Sequence, residues 1–230
     1  MLFIIDKRIP TEAKQKLASF GKIIELETSG TTDNYLSGHP DIFLFQLGNS
    51  IIYAPNTPKS FIEQLRRENL DLVKGSREIA KGYPDCAAYN AVISEKYFIH
   101  NLTISDETLL KAAETKEKIN VKQGFTRCSL LHLKDDKFIS SDKGIEKELI
   151  KNGCKVLYVK PEKILLPGCR HGFFGGCAGV NGNNVFVIGS LKYIDDGNSV
   201  KDFISNCGMN LIELYDGPLF DAGSILVQSV

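Results

Sequence analysis

Apolar and polar positions along this chain follow a pattern that repeats. In residues 127–159, Cys128-Ser-Leu-Leu-His-Leu133 reads as a strand, Lys134-Asp-Asp136 as a turn and Lys137-Phe-Ile-Ser140 as a second strand. From Asp142 to Asn152 the apolar residues Ile145, Leu149 and Ile150 recur at helical spacing. Gly153 is a natural helix stop, because a left-handed residue costs glycine little. Lys155-Val-Leu-Tyr-Val159 returns to strand. The unit is strand, turn, strand, helix, strand.

The same order recurs in residues 41–73. Asp41-Ile-Phe-Leu-Phe45 is a strand, Gly48-Asn49 a turn and Ile51-Ile-Tyr53 a second strand. A helix from Pro58 to Arg67 follows, with Thr57 as cap and Pro58 at its favoured first position. Residues 86–122 repeat the order, with strands at Ala87–Ile93 and Tyr97–Ile99, a helix capped by Ser105 and running to Glu117, and a strand at Ile119–Lys122. Residues 172–214 repeat it again, with Cys177–Val180, an Asn181-Gly182-Asn183 turn, Val185–Ile188, a helix over Asn198–Asn206 stopped by Gly208, and Met209–Leu214.

Residues 1–27 lack only the first strand of the unit. They hold a strand at Leu2–Ile5, a helix at Thr11–Phe20 stopped by Gly21, and a strand at Lys22–Leu26. The apolar run Ser224–Val230 fills the gap, since such a strand left unpaired would invite aggregation. Residues 222–230 therefore join residues 1–27 as one unit. The chain 1–230 reads as a single α/β domain: a five-fold pseudo-symmetric α/β propeller of β-hairpin–α–β units, closed by pairing its C-terminal strand with its N-terminal strand. A generic doubly wound α/β sheet is the alternative, and it does not explain a hairpin before each helix.

Composition narrows the function more than the fold. Lys plus Arg and Asp plus Glu are both 28 among the 230 residues. This balance argues against a nucleic-acid or membrane-surface partner, both of which favour a basic excess. No apolar run approaches the roughly 20 residues of a membrane span, and the N-terminus lacks a basic leader, so a cytoplasmic protein is expected. The six cysteines show no CxxC spacing and are expected as free thiols. No standard zinc spacing and no GxxxxGK[ST] string occurs, so neither a metal nor a cofactor is expected. The oligomeric state is left open.

The repeat resembles the pentein superfamily, the guanidino-group-modifying enzymes, which include arginine deiminases, dimethylarginine dimethylaminohydrolases and amidinotransferases. The sharper matches are Arg127-Cys128-Ser129 with Ile139-Ser140-Ser141, and Asp216-Gly217-Pro218-Leu219 leading into the last strand. Gln123-Gly124-Phe125, His171-Gly172-Phe173 before Gly175-Gly176, and Asp221-Ala222-Gly223-Ser224 resemble a bacterial branch of the superfamily with no assigned reaction. The resemblance implies a cysteine nucleophile in the last unit, a histidine that moves protons and carboxylates that hold a cationic group.

This chain departs from that pattern at each place. Asp221, Ala222 and Gly223 stand where the cysteine is implied, Gln123 where the histidine is, and Gln46 where an acid is. Glutamine does not titrate, so it cannot be a general base. The expected function is binding of a small polar molecule in an axial pocket, without covalent chemistry. Gln46, Gln123, Arg170, His171, Asp221 and Ser224 are the candidate ligand-binding residues. A ribosome anti-association factor of similar frame is a non-catalytic precedent. The alternative is a C–N hydrolase or amidinotransferase-like enzyme using a relocated cysteine, with Cys128, Cys177, His171 and Asp221 as catalytic candidates.

Three thiols, Cys86, Cys128 and Cys177, begin the first strands of their units and are candidates to converge on the axis. The competing reading is that strand heads crowd there and need small residues. Arg170 and His171 sit in a glycine-bearing loop that could take a carboxylate or phosphate. His39, just before Pro40-Asp41, is a candidate lining residue. Asp221 is either a ligand-binding acid or a turn residue accepting backbone N–H bonds.

Overall fold

In the computed structural model, which describes residues 1–228, the repeating pattern becomes five three-stranded sheets. The first unit holds β1 (Leu2–Asp6), α1 (Thr11–Ala18) and β2 (Lys22–Leu26). The second holds a helical turn α2 (Pro40–Phe43), then β3 (Leu44–Leu47), β4 (Ser50–Tyr53), α3 (Lys59–Arg67) and β5 (Asp71–Lys74). The third holds β6 (Val92–Ile93), β7 (Tyr97–His100), α4 (Glu107–Ala112) and β8 (Glu117–Asn120). The fourth holds a helical turn α5 (Thr126–Ser129), then β9 (Leu130–His132), β10 (Lys137–Ser140), α6 (Lys143–Lys151) and β11 (Lys155–Tyr158). The fifth holds β12 (Ala178–Asn181), β13 (Asn184–Val187), α7 (Gly197–Ser205) and β14 (Asn210–Glu213). The last described element is β15 (Leu226–Gln228).

In every unit the first strand is antiparallel to the middle strand, and the middle strand is parallel to the third. Hairpins make the first pairing and helical crossovers the second, as strand direction requires. The first unit takes its antiparallel strand from the far end of the chain. β15 pairs with β1 through Leu2–Gln228, Phe3–Val227 and Ile4–Leu226. Ser229 and Val230, the last two positions of the expected terminal strand, lie outside the described residues.

Side chains alternate across each middle strand, so its two faces serve different neighbours. Leu2 and Ile4 of β1 pack with the second unit, while Phe3 and Ile5 pack with Phe186 and Ile188 of the fifth. Phe98 of β7 packs with the second unit, and Ile99 with Phe138 of the fourth. Ile139 of β10 packs with Val185 and Val187. The rings of Phe3 and Phe186 meet edge to face, 5.1 Å between centroids.

Several local expectations are corrected. The heads of three first strands are helical turns: α2 holds Asp41, α5 holds Cys128, and a 3₁₀ turn over Gly175–Cys177 precedes β12. Only Val92–Ile93 of the expected Ala87–Ile93 strand is extended. The chain must turn sharply where strand heads crowd, and Pro40 suits the first position of such a turn. Pro58 is the residue before α3, and the Thr57 hydroxyl donates to the Ala54 carbonyl rather than capping. Asp106, not Ser105, caps α4, accepting from Thr108 N at 2.8 Å. That helix ends at Ala112, because Glu117 is already paired with Tyr97 of β7. Gly153 and Gly208 are left-handed as expected. Gly21 is needed for another reason: a Cβ there would collide with the Met1 carbonyl, to which Lys22 N donates.

Candidate functional site

The helical turns and bends ahead of the first strands bring polar side chains from four units into one buried hub. Asn90, fully buried, joins three of them. Its Oδ1 accepts from Arg127 N (2.7 Å) and Cys128 N (3.2 Å), and its Nδ2 donates to the Asp41 carbonyl (3.1 Å) and Cys128 Sγ (3.3 Å). Asp41 joins the same units to the last segment: its Oδ2 accepts from Cys128 Sγ at 3.1 Å and Ser224 Oγ at 2.6 Å. Asp41 N donates to the Gly223 carbonyl, and Ser224 N to the Gly176 carbonyl.

Asp221 lies at the same hub. Its carboxyl group accepts from Phe173 N (2.8 Å) and Gly223 N (3.1 Å). Close approach is the reason for the glycines around it. A Cβ on Gly176 or Gly172 would strike the Asp221 side chain, and one on Gly223 would strike His39. Gly223 and Ser224 are both left-handed, at φ 66° and 73°. A serine there is strained, and its hydrogen bond to Asp41 offsets the strain.

Burial dominates the electrostatics. It pushes the Asp221 carboxyl up to about 6; His39 opposes the rise and Asp41 adds to it. Burial, then Asp41 and Asp221, raise the Cys128 thiol well above its ordinary value. Cys177 is raised by burial and by Asp221, and its Sγ donates to the Phe173 carbonyl at 3.3 Å. These thiols are held protonated, which disfavours a nucleophile. Burial lowers the Arg127 guanidinium, and Asp41 counters this. Arg127 donates from Nη1 to the Gly175 carbonyl and from Nη2 to the Ala178 carbonyl, both at 2.9 Å.

Two hub atoms are buried without a hydrogen-bond partner, His39 Nδ1 and Asp41 Oδ1. A ring nitrogen of His39, a carboxyl oxygen of Asp41 and Cys128 Sγ all lie within 4.8 Å of one another.

Beyond Arg127 a cavity of about 600 Å³ runs along the first strands. Gln46 of β3, Ile93 of β6, His132 of β9, Val180 of β12 and Leu226 of β15 line it, so every sheet contributes. Arg127, the strand heads Leu44 and Ala91, and the hairpin residues Glu95, Lys134 and Gly182 also line it. Gln46 Nε2 donates to the Val227 carbonyl at 2.5 Å.

The candidate residues thus separate into four places. Cys128, Asp221 and Ser224 meet in the hub, with Cys177 beside Asp221. Gln46 lies in the cavity. Gln123 lies in a different groove, bonded to Asp142 and to Phe125 N. Arg170 is exposed, and His171 Nδ1 lies 3.0 Å from the Gly172 carbonyl, beside the Phe173 ring. Cys86 does not join the other two thiols; its electrostatic neighbours are Asp33 and Asp85. Asn90 and Asp41 were not among the expected site residues. Asp41, an acid heading an apolar run, carried a readable signal, whereas Asn90 carried none. All six cysteines are free thiols, and among the described residues no helix is long and apolar enough to cross a membrane.

This arrangement matches known structures over nearly the whole chain. The DDAH of Pseudomonas aeruginosa, solved with citrulline, superposes with a TM-score of 0.55 at 8% identity, covering 92% of this chain and 91% of that one. The agmatine deiminase of C. jejuni gives 0.55 at 13%, covering 93% and 74%. SxtG, an amidinotransferase of the saxitoxin biosynthetic pathway from Microseira wollei, gives 0.54 at 12%, covering 92% and 87%. At such identities the likeness shows the fold alone, and that fold is the pentein fold. In sequence the chain belongs to DUF6873, a family of unknown function, which matches residues 4–226. No curated protein matches it in sequence.

Proposed function

We propose that this protein is a five-bladed pentein propeller that binds a small polar molecule in its axial cavity, without the thiol chemistry of its fold relatives. The observation that carries the reading is the cavity lined by residues of the first strands of all five sheets together with Arg127. The wall of this cavity is about as polar as it is apolar, and small-molecule sites use a few placed polar groups to fix a ligand's orientation. Gln46, His132 and Arg127 supply those groups. Ala222, at the place implied for the nucleophile, is buried and carries no reactive group.

A thermal-shift screen tests this, using guanidino compounds, free amino acids and short carboxylic acids. A ligand at a hundredfold excess over its Kd raises stability by about 2.7 kcal/mol. The expected result is a shift with one class that Gln46→Ala weakens. No shift with any class, or one indifferent to Gln46→Ala, rules the axial site out.

A second reading, hydrolysis or amidino transfer through Cys128, is favoured by one observation, the nearness of His39 and Asp41 to its sulfur. Turnover of a guanidino compound that Cys128→Ser abolishes would establish it in place of the first.

A further inference from the structure

We propose that His39, Asp41 and Cys128 form a binding site for one divalent transition-metal ion, of the borderline kind that zinc represents. The donor set is an imidazole nitrogen, a carboxyl oxygen and a thiol sulfur. Zinc binds these three donor types, whereas magnesium and calcium take oxygen. His39 directly precedes α2, Asp41 lies in its first turn, and Cys128 comes from α5 in another unit. The fold assembles the three ligands from segments 87 residues apart, which explains why no zinc spacing is visible in the sequence. The donors lie within 4.8 Å of one another, and Cys128 Sγ is 3.1 Å from Asp41 Oδ2. Bonds of about 2.0–2.3 Å to a central ion require donors roughly 3.3–3.7 Å apart, so small side-chain rotations close the set.

The second observation is independent of donor type. His39 and Asp41 are each 1% exposed, and each buries a polar atom with no partner, Nδ1 and Oδ1. A buried polar atom without a partner is costly, and these two belong to two of the three residues whose donor atoms cluster. Outer partners are in place. Ser224 Oγ donates to Asp41 Oδ2, and Asn90 Nδ2 donates to Cys128 Sγ. Such bonds orient ligands and tune affinity. Binding replaces the S–H bond of Cys128 by a metal–sulfur bond and releases one proton to solvent. Three protein ligands leave a fourth position, as in zinc sites that hold an exchangeable ligand.

The test is titration of chelator-treated full-length protein with cobalt(II), followed by competition with zinc. The expected result is one cobalt per chain, with the intense thiolate-to-cobalt absorption of a tetrahedral site, which zinc abolishes and magnesium does not. Cys128→Ser should remove that absorption, and Cys177→Ser should leave it. Ser224→Ala should weaken cobalt binding about 10- to 100-fold. His39→Gln, checked for fold by circular dichroism, provides a second loss variant should Cys128→Ser unfold. Absence of the thiolate band in the wild type, or its persistence in Cys128→Ser or in folded His39→Gln, overturns the proposal. The readout does not depend on a ligand in the axial cavity, so the two proposals stand or fall separately.

Discussion

His100 shows how much a single buried side chain does in this molecule. It is fully buried at the end of β7, with Nδ1 2.7 Å from Ser105 Oγ and Nε2 3.0 Å from the Gly124 carbonyl. Burial lowers its pKa from 6.5 to about 4, with the Gly124 hydrogen bond acting against it. The unfolded chain therefore takes up a proton below pH 6.5 that the fold refuses until about pH 4. The stability His100 contributes is complete above 6.5 and falls by about 3 kcal/mol as pH drops to 4. Asp221 acts in the opposite sense: raised to about 6, it favours the fold most below 3.8 and loses that contribution as pH rises to 6. The two slopes oppose each other between pH 4 and 6. The difference in urea stability between wild type and His100→Asn isolates the histidine, and should shrink by about 3 kcal/mol from pH 7 to pH 4. A difference that stays constant with pH would mean that His100 titrates normally in the fold.

At the scale of elements, the helices follow their apolar faces and the strand heads follow their neighbours. α6 forms where the sequence places it, because Ile145 and Leu149 share a buried face and Asp142 caps the first turn through Ile145 N at 2.8 Å. Asp142→Ala should cost about 1 kcal/mol in denaturant unfolding, and somewhat more for the lost bond to Gln123. A variant as stable as wild type would show the cap to be idle. α2 and α5 are another matter. Asp41–Phe43 of α2 and Cys128–Ser129 of α5 open the stretches that read as strand. They coil because Asn90 and Asp41 gather the backbone and side chains of neighbouring units there.

On the scale of the whole molecule, Phe186 joins the fifth unit to the first. It belongs to the fifth unit and is fully buried, with the rings of Phe3 and Phe20 from the first unit 5.1 and 5.3 Å away. Phe186→Ala should destabilise the protein by about 3–5 kcal/mol. Spread of the first-unit signals in an NMR spectrum, with the second to fourth units little changed, would be the matching structural sign. A loss below 1 kcal/mol would show that the first and fifth units are joined mainly through β15.

The repeat was legible in the sequence because each unit is built from short-range periodicity: a hairpin, an amphipathic helix and a returning strand within about thirty-five residues. The pairing of the chain ends was legible too, since a lone apolar strand and a unit missing one strand complete each other. The hub was only partly legible. Asp221, Ser224 and Cys128 stood out by type and motif, but Asn90 is an ordinary turn residue until it lies between Asp41 and Cys128. His171, Arg170 and Gln123 drew notice by type as well, and the fold carries them elsewhere. The hub's bonds join residues 49, 87 and 183 positions apart. Local pattern determined the five units and their order. Which polar side chains meet was decided only when the five sheets packed, because that depends on the inter-unit contacts of every middle strand.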